Sequence, residues 1–220
     1  MNNIPYKVIR SDRKSIALVI NSEAKLTIRA PYDARESEIA DVIKQKKRWI
    51  AEKQKKMSAL NTKHSTVNFK SGESFMYLGN TYKIAWGNNT KIDISGKNFI
   101  LPKSYTKARI ISWLKKQAGK FLRERAGELA SVMGARFSSI RISSAKTRWG
   151  SCSGKDNLNF TWRLIMCPPE AIDYVIIHEL CHITYKNHSP GFWAMVKAYR
   201  PKFKEQKSWL KNNRKLMDII

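Results

Sequence analysis

The run His178-Glu179-Leu180-Cys181-His182 limits the fold more than any other stretch of the chain. Residues four apart share one face of a helix, so the two imidazoles reach a single ion only if this segment is helical. Ile172, Val175, Ile176 and Ile177 precede it and can bury that helix in a core. The ligand set suits zinc. A catalytic zinc takes three protein ligands and keeps one position open, and Glu179 stands where it can take a proton from a zinc-bound water. With four His and ten Glu among the 220 residues, chance supplies roughly 0.003 such matches, so accident does not account for the motif. A purely structural zinc is disfavoured, because structural sites close all four positions with Cys and His and leave Glu179 without a role.

The third ligand must come from elsewhere. His188 follows His182 with five residues between and falls in Asn187-His188-Ser189-Pro190, where one helix should end and another begin. A histidine at that corner can fold back to the metal. Metzincins use the same spacing with a glycine midway; here that position is Tyr185, so the turn must differ. Glu205, on the last helix, is the rival ligand, as in zincins with a distant acid. His188 is the favoured one.

Around the motif the chain reads as α+β. Tyr6 to Ile9, Ser15 to Ile20 and Lys25 to Arg29 alternate as strands, with a turn at Asn21-Ser22-Glu23. Glu36 to Leu60 reads as one long helix. Strands return at Glu73 to Leu78, Thr81 to Trp86, Lys91 to Ile94 and Asn98 to Leu101, and Lys103 to Met133 is a second long helix. Ser139 to Ile142 is a strand, and Lys146 to Cys152 with Leu158 to Trp162 forms a hairpin. Pro168-Pro169-Glu170 opens the motif helix, which runs to about Lys186, and Ser189-Pro190 caps the next one. The expected division is a β-rich region with one long helix over 1–102 and a catalytic region over 103–220. No Pro/Gly/Ser-rich linker separates the two, so they are expected to form one integrated unit.

Composition narrows the setting. The three cysteines, Cys152, Cys167 and Cys181, are odd in number and lack a CxxC spacing, which argues for a reducing compartment and against a disulfide framework. Met1 to Arg10 has no signal-peptide core, and no stretch approaches a membrane span, so a soluble, cytoplasmic protein with no membrane partner is expected. Forty-two basic against seventeen acidic residues give a net charge of +25. Such a surface is either an ordinary solvated one or a site of polyanion contact, nucleic acid included.

Four segments together carry a family resemblance: Thr147-Arg148-Trp149-Gly150-Ser151-Cys152, Leu158-Asn159-Phe160-Thr161-Trp162-Arg163-Leu164, Asp173 through His182, and Asn187-His188-Ser189-Pro190-Gly191-Phe192-Trp193. This ordered set resembles the YgjP-like metallopeptidases, relatives of the SprT-like and WLM zincins. It is strongest from Thr147 to Trp193; the N-terminal half is similar in layout, with weaker motifs. Cys181 and Phe160 depart mildly from the pattern and leave the ligands intact. The resemblance implies a zincin-like metallohydrolase core with a β-rich N-terminal half. It also implies zinc as cofactor, His178, His182 and His188 as ligands, and Glu179 as base. It implies a hydrolase more firmly than a substrate, since a nucleotide-hydrolysing role also attaches to the family.

In a zincin a strand beside the metal helix lines the cleft, and Lys146 to Ser151 is the candidate. Arg148 would then bind a carboxylate or phosphate with its planar fork, or else pair with an internal acid such as Asp173. Lys146 and Ser151 are further substrate-binding candidates, and Gly150 would admit a close backbone approach. Trp149 reads as core and Cys181 as a small buried filler. Tyr185 is a candidate oxyanion donor. Three functions remain open: a zinc peptidase, a metal-dependent nucleoside triphosphate (UTP-type) pyrophosphatase or phosphohydrolase, and a DNA-associated SprT-like protease. The last would have to act without a zinc ribbon or helix-turn-helix signature.

Overall fold

Alternation of apolar and polar residues builds three short strands at the start of the chain: β1 (Tyr6–Arg10), β2 (Ala17–Ile20) and β3 (Leu26–Ala30). The computed structural model describes residues 5–21, 24–63 and 67–220, so Ser22 and Glu23 of the expected turn lie outside the described residues. β3 is central, parallel to β1 and antiparallel to β2. Its alternate residues Leu26, Ile28 and Ala30 are buried with Ile39 and Ile50 from the helices that follow.

Those helices are two, α1 (Glu36–Gln45) and α2 (Lys47–Lys63), where one was expected. Lys46 leaves helical geometry, at φ −99° and ψ 10°. A straight 25-residue helix would run about 38 Å, more than twice the roughly 16 Å of a five-residue strand. The break turns α2 back towards the sheet, where the Gln54 amide donates to the Ala24 carbonyl at 3.0 Å.

The second sheet comprises β4 (Ser74–Tyr77), β5 (Asn80–Gly87), β6 (Asp93–Ser95) and β7 (Asn98–Pro102), in the order β4-β5-β7-β6. The β4–β5 turn requires glycine twice over. Gly79 has φ +79°, and a Cβ there would lie 2.7 Å from the Pro168 Cα. That contact fixes the turn against the residue that opens the motif helix.

Helix α3 (Lys107–Met133) starts at Thr106, whose hydroxyl accepts from the Arg109 N–H, and stops at Gly134 in the left-handed region. Its buried face, Ile110, Leu114, Ala118, Leu122, Ala126 and Ala130, recurs every fourth residue; the alanines let neighbouring helices approach closely. A third sheet, ordered β8-β10-β9, joins β8 (Ser139–Ser143), β9 (Gly150–Cys152) and β10 (Asn157–Thr161). Only the end of the expected Lys146–Cys152 strand is a strand. The residues before it are held irregular by side chains: the Thr161 hydroxyl donates to the Ala145 carbonyl, Arg163 to Ser144 and Arg214 to Thr147. Trp162 leaves the expected strand for a 3-10 turn, Trp162–Met166.

The last helices are α4 (Pro169–Thr184), α5 (Pro190–Tyr199) and α6 (Phe203–Asn212), followed by a 3-10 turn, Arg214–Met217. α4 carries the motif and is buried on nearly every side from Ala171 to Cys181. Near its start Asp173 binds the Arg125 guanidinium through both oxygens, at 2.7 and 2.8 Å, and Arg200 at 3.1 Å. The architecture is α+β, as expected. It divides into two compact units, Met1–Ser65 and Thr66–Ile220, so the division falls at 65/66 instead of 102/103. The reason is core sharing: Phe75, Ile84, Phe99 and Leu101 are buried in one cluster with Leu114, Leu158 and Ile176. Among the described residues no helix is long and apolar enough to cross a membrane.

Candidate metal centre

His178 and His182 project from one face of α4, one turn apart. The chain then leaves the helix at Tyr185, which is extended (φ −116°, ψ 103°). No left-handed residue is needed there, which explains how a tyrosine replaces a glycine midway between His182 and His188. Asn187 Oδ1 accepts from the Ser189 N–H, and the Ser189 hydroxyl caps α5 by accepting from Phe192. This corner returns His188 to α4. The ligand atoms of His178, His182 and His188 all lie within 4.8 Å of one another, and the Nε2 atoms of His178 and His188 are 3.1 Å apart. Two nitrogens on one tetrahedral zinc stand about 3.3 Å apart, so the three residues fit a metal ion. Glu205 is not part of this cluster.

The imidazoles are held by their neighbours. The Nδ1–H of His182 donates to the Tyr185 carbonyl at 2.9 Å, leaving Nε2 free to bind. The Phe192 ring, fully buried, sits 4.6–4.9 Å from all three imidazole centres. Trp193 stacks on His188 at 5.5 Å. His178 is fixed by packing, since its Nδ1 is buried with no hydrogen-bond partner among the described residues. Burial, then the charges of His182, His188 and Lys207, pushes His178 down to about 3. It is therefore neutral, as a metal ligand must be.

Glu179 is 6% exposed. Burial pushes its carboxyl up to about 7, against the opposing pull of the Arg148 charge and the Cys152 N–H. Gly150, on β9, makes room for it: a Cβ there would lie 2.8 Å from both Cγ and Oε1 of Glu179. The close approach read at Gly150 is thus to the neighbouring acid.

Glu179 and His178 open on a cavity of about 350 Å³, whose floor includes Trp149, Tyr174, Val175 and Leu210. Arg148, Lys207, Lys211 and Arg214 also line it, and among the described residues Glu179 is its only acid. Arg148 is thus brought to the site. It does not pair with Asp173, which is taken by Arg125 and Arg200. Lys146 is exposed, Ser151 lies within β9 opposite Asn159, and neither lines the cavity. Nor does the Tyr185 side chain, whose ring lies against Gly191. Trp149 packs on the core and also borders the cavity. Cys181 is fully buried, its thiol pushed up to about 12 by that burial, as a filler should be. Sequence reasoning missed Tyr174, Lys207, Lys211 and Arg214. Tyr174 had a signal, being one turn before His178 on the metal face.

Two crystal structures of metallopeptidase zymogens are similar over part of the chain. Abylysin of Pyrococcus abyssi is 22% identical, over 40% of this chain and 90% of its own, with a TM-score of 0.38. Jannalysin of Methanocaldococcus jannaschii is 25% identical, over 43% of this chain and 96% of its own, with a TM-score of 0.38. No protein of curated function matches the chain significantly. The model of the YgjP-like metallopeptidase domain, however, matches residues 14–213, through both compact units, and the chain belongs to that family.

Proposed function

We propose that this chain is a zinc-dependent peptidase in which His178, His182 and His188 hold the ion and Glu179 is the general base. The observation that carries this reading is the convergence of three imidazoles beside one buried carboxylate, at the edge of a cavity large enough for a side chain. A divalent ion there supplies Lewis acidity towards water and a carbonyl oxygen. Glu179 takes the proton of the attacking water and passes it to the departing amine; a carboxyl raised towards neutrality suits both transfers. Tyr174, pushed up to about 12 by burial and then by the Glu179 charge, stays a hydroxyl donor at neutral pH. With Arg148 it faces the cavity where negative charge develops on the carbonyl oxygen.

The test is hydrolysis by zinc-loaded wild type and Glu179→Gln on unstructured peptides and on nucleoside triphosphates. Peptide cleavage should fall at least about a hundredfold in the variant. The four cations around the cavity favour one second reading, a metal-dependent triphosphate hydrolase. Phosphate or pyrophosphate release that vanishes in Glu179→Gln, with peptides untouched, would select it. The ligand set has its own check. His188→Ala should lose zinc by elemental analysis and Glu205→Ala should keep it; the reverse pattern makes Glu205 the third ligand.

A further inference from the structure

The cavity beside Glu179 has a neighbour along α6. Lys207 and Lys211 line it and also line a second hollow of about 550 Å³, together with Trp193, Phe203, Lys204 and Ser208. Lys207 and Lys211 are common to both linings, so the two hollows adjoin along α6 and together offer a groove. Lys204, Lys207 and Lys211 follow at steps of three and four residues, the spacing of one helical face, and Arg214 comes after them in the 3-10 turn beyond α6. All four are exposed, and none forms an ion pair with an acid among the described residues. Glu205, on the same helix, lines neither hollow.

Like charges three and four apart destabilise a helix, and Glu205, the one acid of α6, stands at neither spacing from Lys204, Lys207 or Lys211, so this row costs stability unless something anionic lies along it. The row is tied to the metal centre, since Lys207 Nζ sits 4.3 Å over the Trp193 ring, which stacks on His188. Its steps rise about 4.5 and 6 Å along the helix. Side chains on one side of an extended peptide recur every roughly 6.7 Å, close enough for flexible lysines to follow.

We propose that the groove binds an extended polypeptide carrying Asp or Glu at alternate positions on one side of the scissile bond, its carboxylates paired with Lys204, Lys207 and Lys211. The inference rests on the peptidase reading above and adds the substrate class. The apolar residues that line the two hollows, Trp149, Leu210, Trp193 and Phe203, take the intervening side chains.

Two fluorescein-labelled peptides test this, identical except that one carries Glu-Ala-Glu-Ala-Glu where the other carries Gln-Ala-Gln-Ala-Gln. With zinc-loaded wild type the acidic peptide should show about tenfold higher kcat/KM, from two or three exposed ion pairs. The advantage should shrink as salt rises. In K204E/K211E, checked for zinc content and melting temperature, the ratio should fall to one or below. K204Q/K211Q serves if the reversal fails to fold, and should give a ratio between the two. Anisotropy with zinc-loaded Glu179→Gln reads binding without cleavage. Equal kcat/KM and equal binding for the two peptides, or a preference that survives charge reversal, overturns the proposal. Lysine-dependent binding of the acidic peptide with no cleavage of either keeps the groove assignment and removes the peptidase reading. Lysine-dependent binding of single-stranded DNA tighter than that of the acidic peptide assigns the groove to nucleic acid and overturns the proposal.

Discussion

A methyl group at position 150 would meet the Glu179 carboxyl at 2.8 Å. Gly150→Ala must therefore displace the base. A displacement approaching 1 Å costs about a hundredfold in rate, so kcat should fall by that order while zinc content holds. The same carboxyl and its neighbour His178 set opposing pH dependences in the metal-free protein. The unfolded chain protonates His178 near 6.5 and the folded one only near 3, so this group lowers stability as pH falls through that window. Folded Glu179 keeps a proton up to about 7, whereas the unfolded carboxyl loses it near 4.5, so this group lowers stability as pH rises. Between 4.5 and 6.5 the two offset each other. Metal-free Glu179→Gln keeps only the histidine effect, and its urea midpoint should drop more steeply on acidification than that of wild type. A parallel pair of curves would show that burial does not set these two groups. Why some site residues were legible in the sequence follows from range. His178, Glu179 and His182 are fixed by helical spacing alone, and Arg148 was read from its place in the expected Lys146–Ser151 strand, although in the structure it precedes β9. Lys146 and Ser151 were read from the same strand logic, but Lys146 falls in the irregular stretch before β9 and Ser151 inside the β-ladder.

At the scale of elements, α4 is aimed by contacts far from the metal. Asp173, with its side chain 8% exposed, joins Arg125 of α3 to Arg200 after α5. Asp173→Ala leaves two guanidiniums without their acid and should destabilise the fold by about 3 kcal/mol, the lower end for a broken buried pair because both arginines are partly exposed. Urea unfolding measures it; a loss below about 1 kcal/mol would place the triad among surface pairs. The sequence showed where most strands and helices lie, because alternation and helical spacing are local properties. It did not show the break at Lys46 or the loss of strand at Lys146–Trp149. Both are set by where a partner ends: the short β1–β3 sheet in one case, the side chains of Thr161, Arg163 and Arg214 in the other.

At the scale of the molecule, the position of the division has a direct consequence. A fragment spanning 66–220 keeps Phe75, Ile84, Phe99 and Leu101 with the core they share with α3 and α4. It should fold and bind zinc alone, whereas one beginning at Lys103 should be insoluble or molten. Circular dichroism and near-ultraviolet spectra of the two would decide, and a well-folded fragment from 103 would restore the earlier boundary. The stacked rings of Tyr174, Phe203, Trp193 and His188, with successive centres 5.5–6.3 Å apart, carry a different consequence. An indole in face-to-face contact with an imidazole has an emission sensitive to that imidazole's charge and ligation. Among the tryptophans of the described residues, only Trp193 has ring contacts with the site histidines, touching His178 and His188. The enzyme thus carries its own optical gauge of the site: titrating metal into the apoprotein should change its ultraviolet fluorescence, and Trp193→Phe should silence that change.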